Sequence, residues 1–239
     1  MKDIITALQA DPLDPNKVHV FIDGKHAMAV SLDVAAQDRL SVGQTCSPDR
    51  LERLHAAQEL NNIYESALNF LSYRPRSARE VELRLRKKGY TPEQISDVME
   101  RLRRMGYVDD REFARFWVSN RMSFSPRGPR LLRSELRQKG VPSEVVDEVL
   151  SEHTESQAAL QEQAEEVGAE YGMAEEPAPG TDLANALALA RKRMRTYGNL
   201  DQQVARRRLS GFLARRGYGY DVIDGVLRRV YAVEEASEE

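Results

Sequence analysis

Ten residues ahead of three separate glycines stands an arginine, and directly ahead of each glycine stands a second cation. The glycines are Gly89, Gly140 and Gly217, the arginines Arg79, Arg130 and Arg207, and the adjoining cations Lys88, Lys139 and Arg216. Guanidinium and ammonium groups at a repeated spacing suit one kind of chemistry, the charge-assisted binding of phosphate or carboxylate oxygens. Two of the phrases extend upstream as "PRSAR" (75–79) and "PRGPR" (126–130), which add Arg76 and Arg127. Arg130, Arg133 and Arg137 then fall on one helical stripe, and Arg215 closes the third phrase. The helix dipole disfavours cations in a first turn, so arginines there require another partner.

Other chemistry is sparse. His19, His26, His55 and His153 lack metal-ligand spacing, and the single cysteine, Cys46, excludes internal disulfides and fits a reducing compartment. No phosphate-binding glycine loop, dinucleotide fingerprint, zinc-protease helix or nucleophile elbow occurs, so neither a cofactor nor a metal is expected. Asp109 and Asp110 precede the apolar run from Phe113 and read as a helix N-cap completed by Glu112. Phe113, Phe116 and Trp117 share a helical stripe and read as core.

The elements that must carry these cations repeat with them. Eight and four residues before the glycines stand Val81/Leu85, Leu132/Leu136 and Leu209/Leu213, one face of a helix each time. Beyond the glycines, Ile95/Val98/Met99, Val146/Val149/Leu150 and Ile223/Val226/Leu227 mark a second amphipathic helix. Ser77 with Glu80 and Thr91 with Gln94 form capping boxes, Pro92 takes a first helical position, and the glycines suit left-handed helix ends. An apolar helix lies upstream in each case, over 62–72, 110–122 and 182–196. The expected fold is mainly α, tandem three-helix repeats in an elongated arrangement with a small N-terminal β-hairpin element.

That β element occupies residues 1–47, where "KVHVFIDGKHAMAV" alternates around Asp23-Gly24 and "DIITAL" could add a third strand. Residues 48–109 hold a linking helix and the first repeat, 110–152 the second and 181–232 the third. Residues 153–180 read as an acidic linker or helix extension, with Pro177, Pro179 and Gly180 as breakers and a mobile segment expected, and 233–239 as an acidic tail.

Charge follows the same boundaries. Lys plus Arg against Asp plus Glu number 18 and 13 over residues 65–150, 0 and 9 over 151–186, and 11 and 3 over 187–230, although the whole chain nets −3. Segregated basic blocks point to a polyanionic partner. The helices after the glycines begin acidic, with Glu93 and Asp97, with Glu144, Asp147 and Glu148, and with Asp221 and Asp224. Phosphates would repel such helices, which disfavours sequence-specific major-groove reading. No long apolar run indicates a membrane span, and the N-terminus lacks a signal-peptide pattern, so a cytoplasmic protein is expected.

Taken together, "SYRPRSAREVELRLRKKGY", "RLRRMGYVDDREFARFWVSNR", "PRGPRLLRSELRQKGV" and "RRRLSGFLARRGY" resemble the RecX family, bacterial regulators of the RecA recombinase in DNA repair, recombination and the SOS response. The resemblance spans about residues 62–230 and is tightest over 65–150. It implies a non-enzymatic chain of three-helix repeats lodged in the groove of the RecA filament on single-stranded DNA and opposing its growth, ATPase and strand exchange; a monomer is expected. The contact residues it suggests are Arg76, Arg79, Lys88, Arg127, Arg130, Arg133, Arg137, Lys139, Arg207 and Arg215. The β element and the acidic strap lie outside the shared core, and the third unit has Gln203 and Val204 where the others have Pro-Arg. Two further readings stand beside it: a sequence-neutral single-strand binder, and a metal-dependent DNA-processing enzyme using Asp109 and Asp110.

Overall fold

The computed structural model describes residues 3–171, 176–198 and 200–235, with three strands and ten helices among them. The chain divides into two compact units, residues 1–74 with 81–108, and residues 75–80 with 109–239.

The first unit opens on a three-stranded antiparallel meander, β1 (Ile5–Ala10), β2 (Lys17–Ile22) and β3 (Lys25–Ser31), in the order β1-β2-β3. Asp23 and Gly24 join β2 to β3 with φ of 48° and 79°, the doubly left-handed turn that matches the twist of a hairpin. The "DIITAL" strand is therefore present, and the element is one strand larger than a hairpin. A short helix, α1 (Leu32–Gln37), follows; it is capped by the Ser31 hydroxyl, which accepts from the Val34 amide, and sequence reading missed it because it is barely two turns long. The inner faces of the sheet, with Ile5, Val20, Met28 and Val30, enclose one core with Val34, Cys46 and Leu54. The long helix α2 (Pro48–Leu71) closes it, and Ser31 donates to Gln58 Oε1 at 2.6 Å across the contact.

The C-terminal half of α2 meets α4 (Pro92–Arg104), and α3 (Ala78–Lys87) completes the first repeat. Thr91 and Gln94 form the expected capping box at α4. Polar groups within α2 are buried as well: Arg101 of α4 reaches Asn61 Oδ1 at 3.5 Å and lies 3.9 Å from the Tyr64 ring centroid.

The second unit holds two further repeats, α5 (Asp110–Phe124), α6 (Pro129–Gln138) and α7 (Ser143–Tyr171), then α8 (Asp182–Met194), α9 (Gln202–Arg215) and α10 (Tyr220–Glu235). All six middle-helix positions expected to be apolar, Val81, Leu85, Leu132, Leu136, Leu209 and Leu213, have no exposed surface. The nine positions on the following helices are buried too. Each middle helix thus carries a stripe of two leucine-type knobs covered by its neighbours, while the opposite face keeps its cations in water.

The first part of the acidic strap extends a helix, one of the two forms its sequence allows. Through Tyr171 it continues α7, because Ala, Glu, Gln and Leu favour helix and no proline interrupts it. Residues 172–175, and residues 236–239 of the acidic tail, lie outside the described residues. The strap also holds the start of the third repeat: Gln161 Oε1 accepts from the Ala178 amide at 2.9 Å, and Gln157 Oε1 accepts from the Asp182 amide at 3.1 Å.

Candidate functional site

The lead-in segments of two middle helices share one docking geometry. At the start of α6, the Gly128 amide donates to the Arg216 carbonyl at 2.9 Å and the Arg130 amide to the Gly217 carbonyl at 3.3 Å. Helix amides that would otherwise lack acceptors are therefore satisfied by the frayed carbonyls at the C-terminus of α9. Gly128 and Gly217 meet backbone to backbone; a Cβ on Gly128 would stand 2.3 Å from the Gly217 carbonyl oxygen. Segment 75–80, at the start of α3, is held in the same way on the turn after α6. Ser77 Oγ donates to the Lys139 carbonyl at 2.6 Å, and the Ser77–Glu80 capping box is formed. The Arg79 stem lies over Gly140, so closely that a Cβ there would fall 2.2 Å from Arg79 Cδ.

This geometry accounts for the first-turn arginines that the dipole argument left without a reason. The Arg79 stem crosses the C-terminal turn of α6, whose partial negative charge favours a cation.

The candidate cations divide by what holds them. Glu135, with a side chain only 14% exposed, is a hub that accepts from Trp117 Nε1 at 2.8 Å and Arg121 Nε at 2.8 Å and pairs with Arg127 Nη1 at 3.2 Å. Lys139 pairs with Glu80 at 2.8 Å and lies 4.9 Å from the Trp117 ring centroid. Arg133 pairs with Asp147 at 3.0 Å on the surface, and Lys88 donates to Ser66 Oγ. Arg76 is half-buried, in the same segment as Ser77. Arg130, Arg137, Arg207 and Arg215 are exposed and form no ion pair among the described residues. The ten candidates therefore do not form one class: Arg127 and Lys139 are engaged by carboxylates, Arg79 is exposed but packs its stem on Gly140, and four arginines are left with solvated heads.

Asp109 caps α5, its Oδ1 accepting from the Arg111 and Glu112 amides at 2.7 and 3.2 Å, as its place before the apolar run indicates. Asp110 Oδ1 accepts from the Ala78 amide at 2.9 Å, which sequence reading missed. Both carboxylates thus hold helix N-termini, and no cluster of three or more His, Cys, Asp or Glu with metal-site geometry occurs among the described residues. Phe113 is fully buried and Trp117 half-buried, whereas Phe116 is 38% exposed and only partly meets the core expectation. No helix of the described residues is long and apolar enough to cross a membrane.

Two buried polar groups lie where the strap meets the third repeat. Burial pushes the Asp182 carboxyl up to about 6, with the Asp221 charge adding to it and a hydrogen bond from Gln157 opposing. Burial likewise pushes the Tyr218 hydroxyl upward; that hydroxyl finds no hydrogen-bond partner among the described residues.

These features define a class, an α-helical repeat protein whose middle helices dock through glycine turns and display cations. Residues 64–102, 109–150 and 181–227 match the family models described as RecX, first, second and third three-helix domain, and together they take in more than half of the chain. The chain belongs to the RecX family. It is 27% identical over 224 residues to "Regulatory protein RecX" of Bacillus licheniformis, covering 94% of this chain and 76% of that one. It is 27% identical to the protein of the same description from Bacillus pumilus, covering 98% and 80%. A solved structure described as "Crystal structure of regulatory protein RecX" shares the fold with a TM-score of 0.75 at 22% identity, over 93% of this chain and 98% of that one.

Proposed function

We propose that this chain is a non-enzymatic regulator, mainly an inhibitor, of the RecA recombinase, and that it binds as a cytoplasmic monomer in the groove of the RecA filament on single-stranded DNA. Membership of the RecX family supports a regulatory role. The observation that carries the contact mode is the set of four exposed arginines that form no ion pair among the described residues, Arg130, Arg137, Arg207 and Arg215, recurring on two middle helices. Their heads can be desolvated against phosphate or carboxylate without first breaking an internal pair, so contact costs little of the fold. The remaining candidates serve two roles: Arg79, Arg127 and Lys139 hold packing and ion-pair contacts inside the second unit, and Arg76, Arg133 and Lys88 add charge beside the middle helices.

ATP hydrolysis by RecA on single-stranded DNA tests the proposal. The wild-type chain should depress the rate, and a variant with Arg130, Arg137, Arg207 and Arg215 all changed to alanine should do so only at concentrations at least tenfold higher, since each lost charged contact is worth about 1 kcal/mol or more. Equal potency of the two proteins rejects the contact assignment.

A further inference from the structure

In the first unit, α2 and α3 flank a cleft of about 510 Å³ that none of the four unpaired arginines lines. We propose that this cleft holds one nucleotide of a single-stranded nucleic acid, with its base against Tyr73 and Tyr90 and its phosphate on Arg84 and Lys88. The size falls within the range of roughly 300–1,000 Å³ usual for small-ligand sites. Its walls carry the three kinds of group that a nucleotide needs. Tyr73 is 84% exposed and Tyr90 is half-buried at the mouth, so both rings offer surface for a base. Arg84 and Lys88 stand four apart on α3 and its C-terminal turn, close enough to share one phosphate. Arg84 also lies 5.7 Å from the Phe70 ring centroid, which holds its guanidinium over the cleft wall.

Amides complete the set. Asn62 and Asn69 line the α2 wall; the Asn62 carbonyl oxygen accepts from Gln58 at 2.8 Å, which leaves its amino group as a donor. The carboxylate at the rim, Glu65, accepts from Asn61 at 2.9 Å, so an internal donor offsets part of its charge. Aromatic faces beside paired cations suit stacked bases on a phosphate chain better than an acidic peptide, which offers no flat π surface. Every base has such a face, so the site is sequence-tolerant.

The inference goes beyond the filament reading and is tested without RecA. The intact chain is mixed with a single-stranded oligothymidylate carrying photoreactive 5-iodouracil, and affinity is read by fluorescence anisotropy. Crosslinks should map to the peptides holding Tyr73 or Tyr90. Tyr73→Ala should weaken binding about fivefold or more while Tyr73→Phe retains it, the loss expected from one stacked base. Arg84→Ala should lower the slope of log affinity against log salt by about one. Tyr73 is exposed, so its replacement leaves the core intact, and circular dichroism verifies this. Absence of binding, crosslinks confined to residues 109–239, or unchanged affinity in Tyr73→Ala each overturns the proposal. Competition by thymidine monophosphate at the same nucleotide concentration also overturns it, in favour of a free-nucleotide site. A quadruple variant at Arg130, Arg137, Arg207 and Arg215 should keep the Tyr73 crosslink, which separates this site from the filament contact.

Discussion

Replacing each turn glycine by alanine isolates the docking interaction, because the three positions share a backbone conformation and differ in what faces them. Gly89, Gly140 and Gly217 have φ of 88°, 82° and 88°, so a Cβ costs each about 1–2 kcal/mol in left-handed strain. At Gly89 nothing lies within 4 Å of that Cβ, and Gly89→Ala should cost only the strain. At Gly217 the Cβ would meet the Leu131 amide nitrogen and Cβ, both at 2.5 Å. That is main chain at the start of α6, which can yield only by moving the helix. Such a shift breaks the Gly128–Arg216 and Arg130–Gly217 bonds, each worth about 1 kcal/mol, for a total of roughly 3–4 kcal/mol. Gly140→Ala should fall between, since it displaces the Arg79 stem rather than main chain. Urea unfolding gives the order, and hydrogen exchange locates the cause: the Gly128 and Arg130 amides should lose protection in Gly217→Ala alone. Three equal losses with those amides still protected would refute the docking account.

Three other perturbations probe the second unit. Glu135→Ala removes the acceptor shared by Trp117, Arg121 and Arg127; it should destabilise by about 3 kcal/mol and shift the emission of Trp117, the chain's single tryptophan, whereas an unchanged spectrum would deny the hub. Burial pushes the Asp182 carboxyl in the folded chain up to about 6 from an ordinary value of 3.8, so the native state binds the extra proton between those values and stability falls as pH rises through them. The loss is on the order of 3 kcal/mol by pH 7, and Asp182→Asn should abolish that slope in urea unfolding at pH 4 and 7.5; a slope that persists in the variant counts against Asp182 as its source. Tyr218→Phe deletes a buried hydroxyl that has no partner among the described residues and should leave stability unchanged or raise it by about 1 kcal/mol, while a loss above 1 kcal/mol would mean that the hydroxyl is bonded.

The helical repeats were legible because burial imposes a period. Val81 and Leu85 recur as Leu132 and Leu136 and again as Leu209 and Leu213, and all six are fully buried. Caps at Thr91 and Asp109 were legible for the same local reason, that an oxygen reaches an amide two or three residues on. The docking of Gly128 on Gly217 was not, because it joins backbone to backbone across a long sequence separation and leaves no periodicity. Its trace was the Pro-Arg pair, present in two units and absent from the third, which charge alone could not interpret. The strap's helical part was legible from its composition, but its contacts were not: Gln157 and Gln161, polar and unremarkable in sequence, hold the third repeat. Among the cations, sequence could count charges but not partners, and Glu135 and Glu80 decide which of them are already engaged.

The most direct measurement of the central claim is a titration of fluorescently labelled chain against RecA assembled on single-stranded DNA, against RecA without DNA, and against bare DNA at the same salt concentration. The account predicts tight binding to the assembled filament, weaker binding to either component alone, and loss of filament binding when Arg130, Arg137, Arg207 and Arg215 are alanine. Binding to bare DNA as tight as to the filament, or a quadruple variant that binds the filament like the wild type, would contradict it.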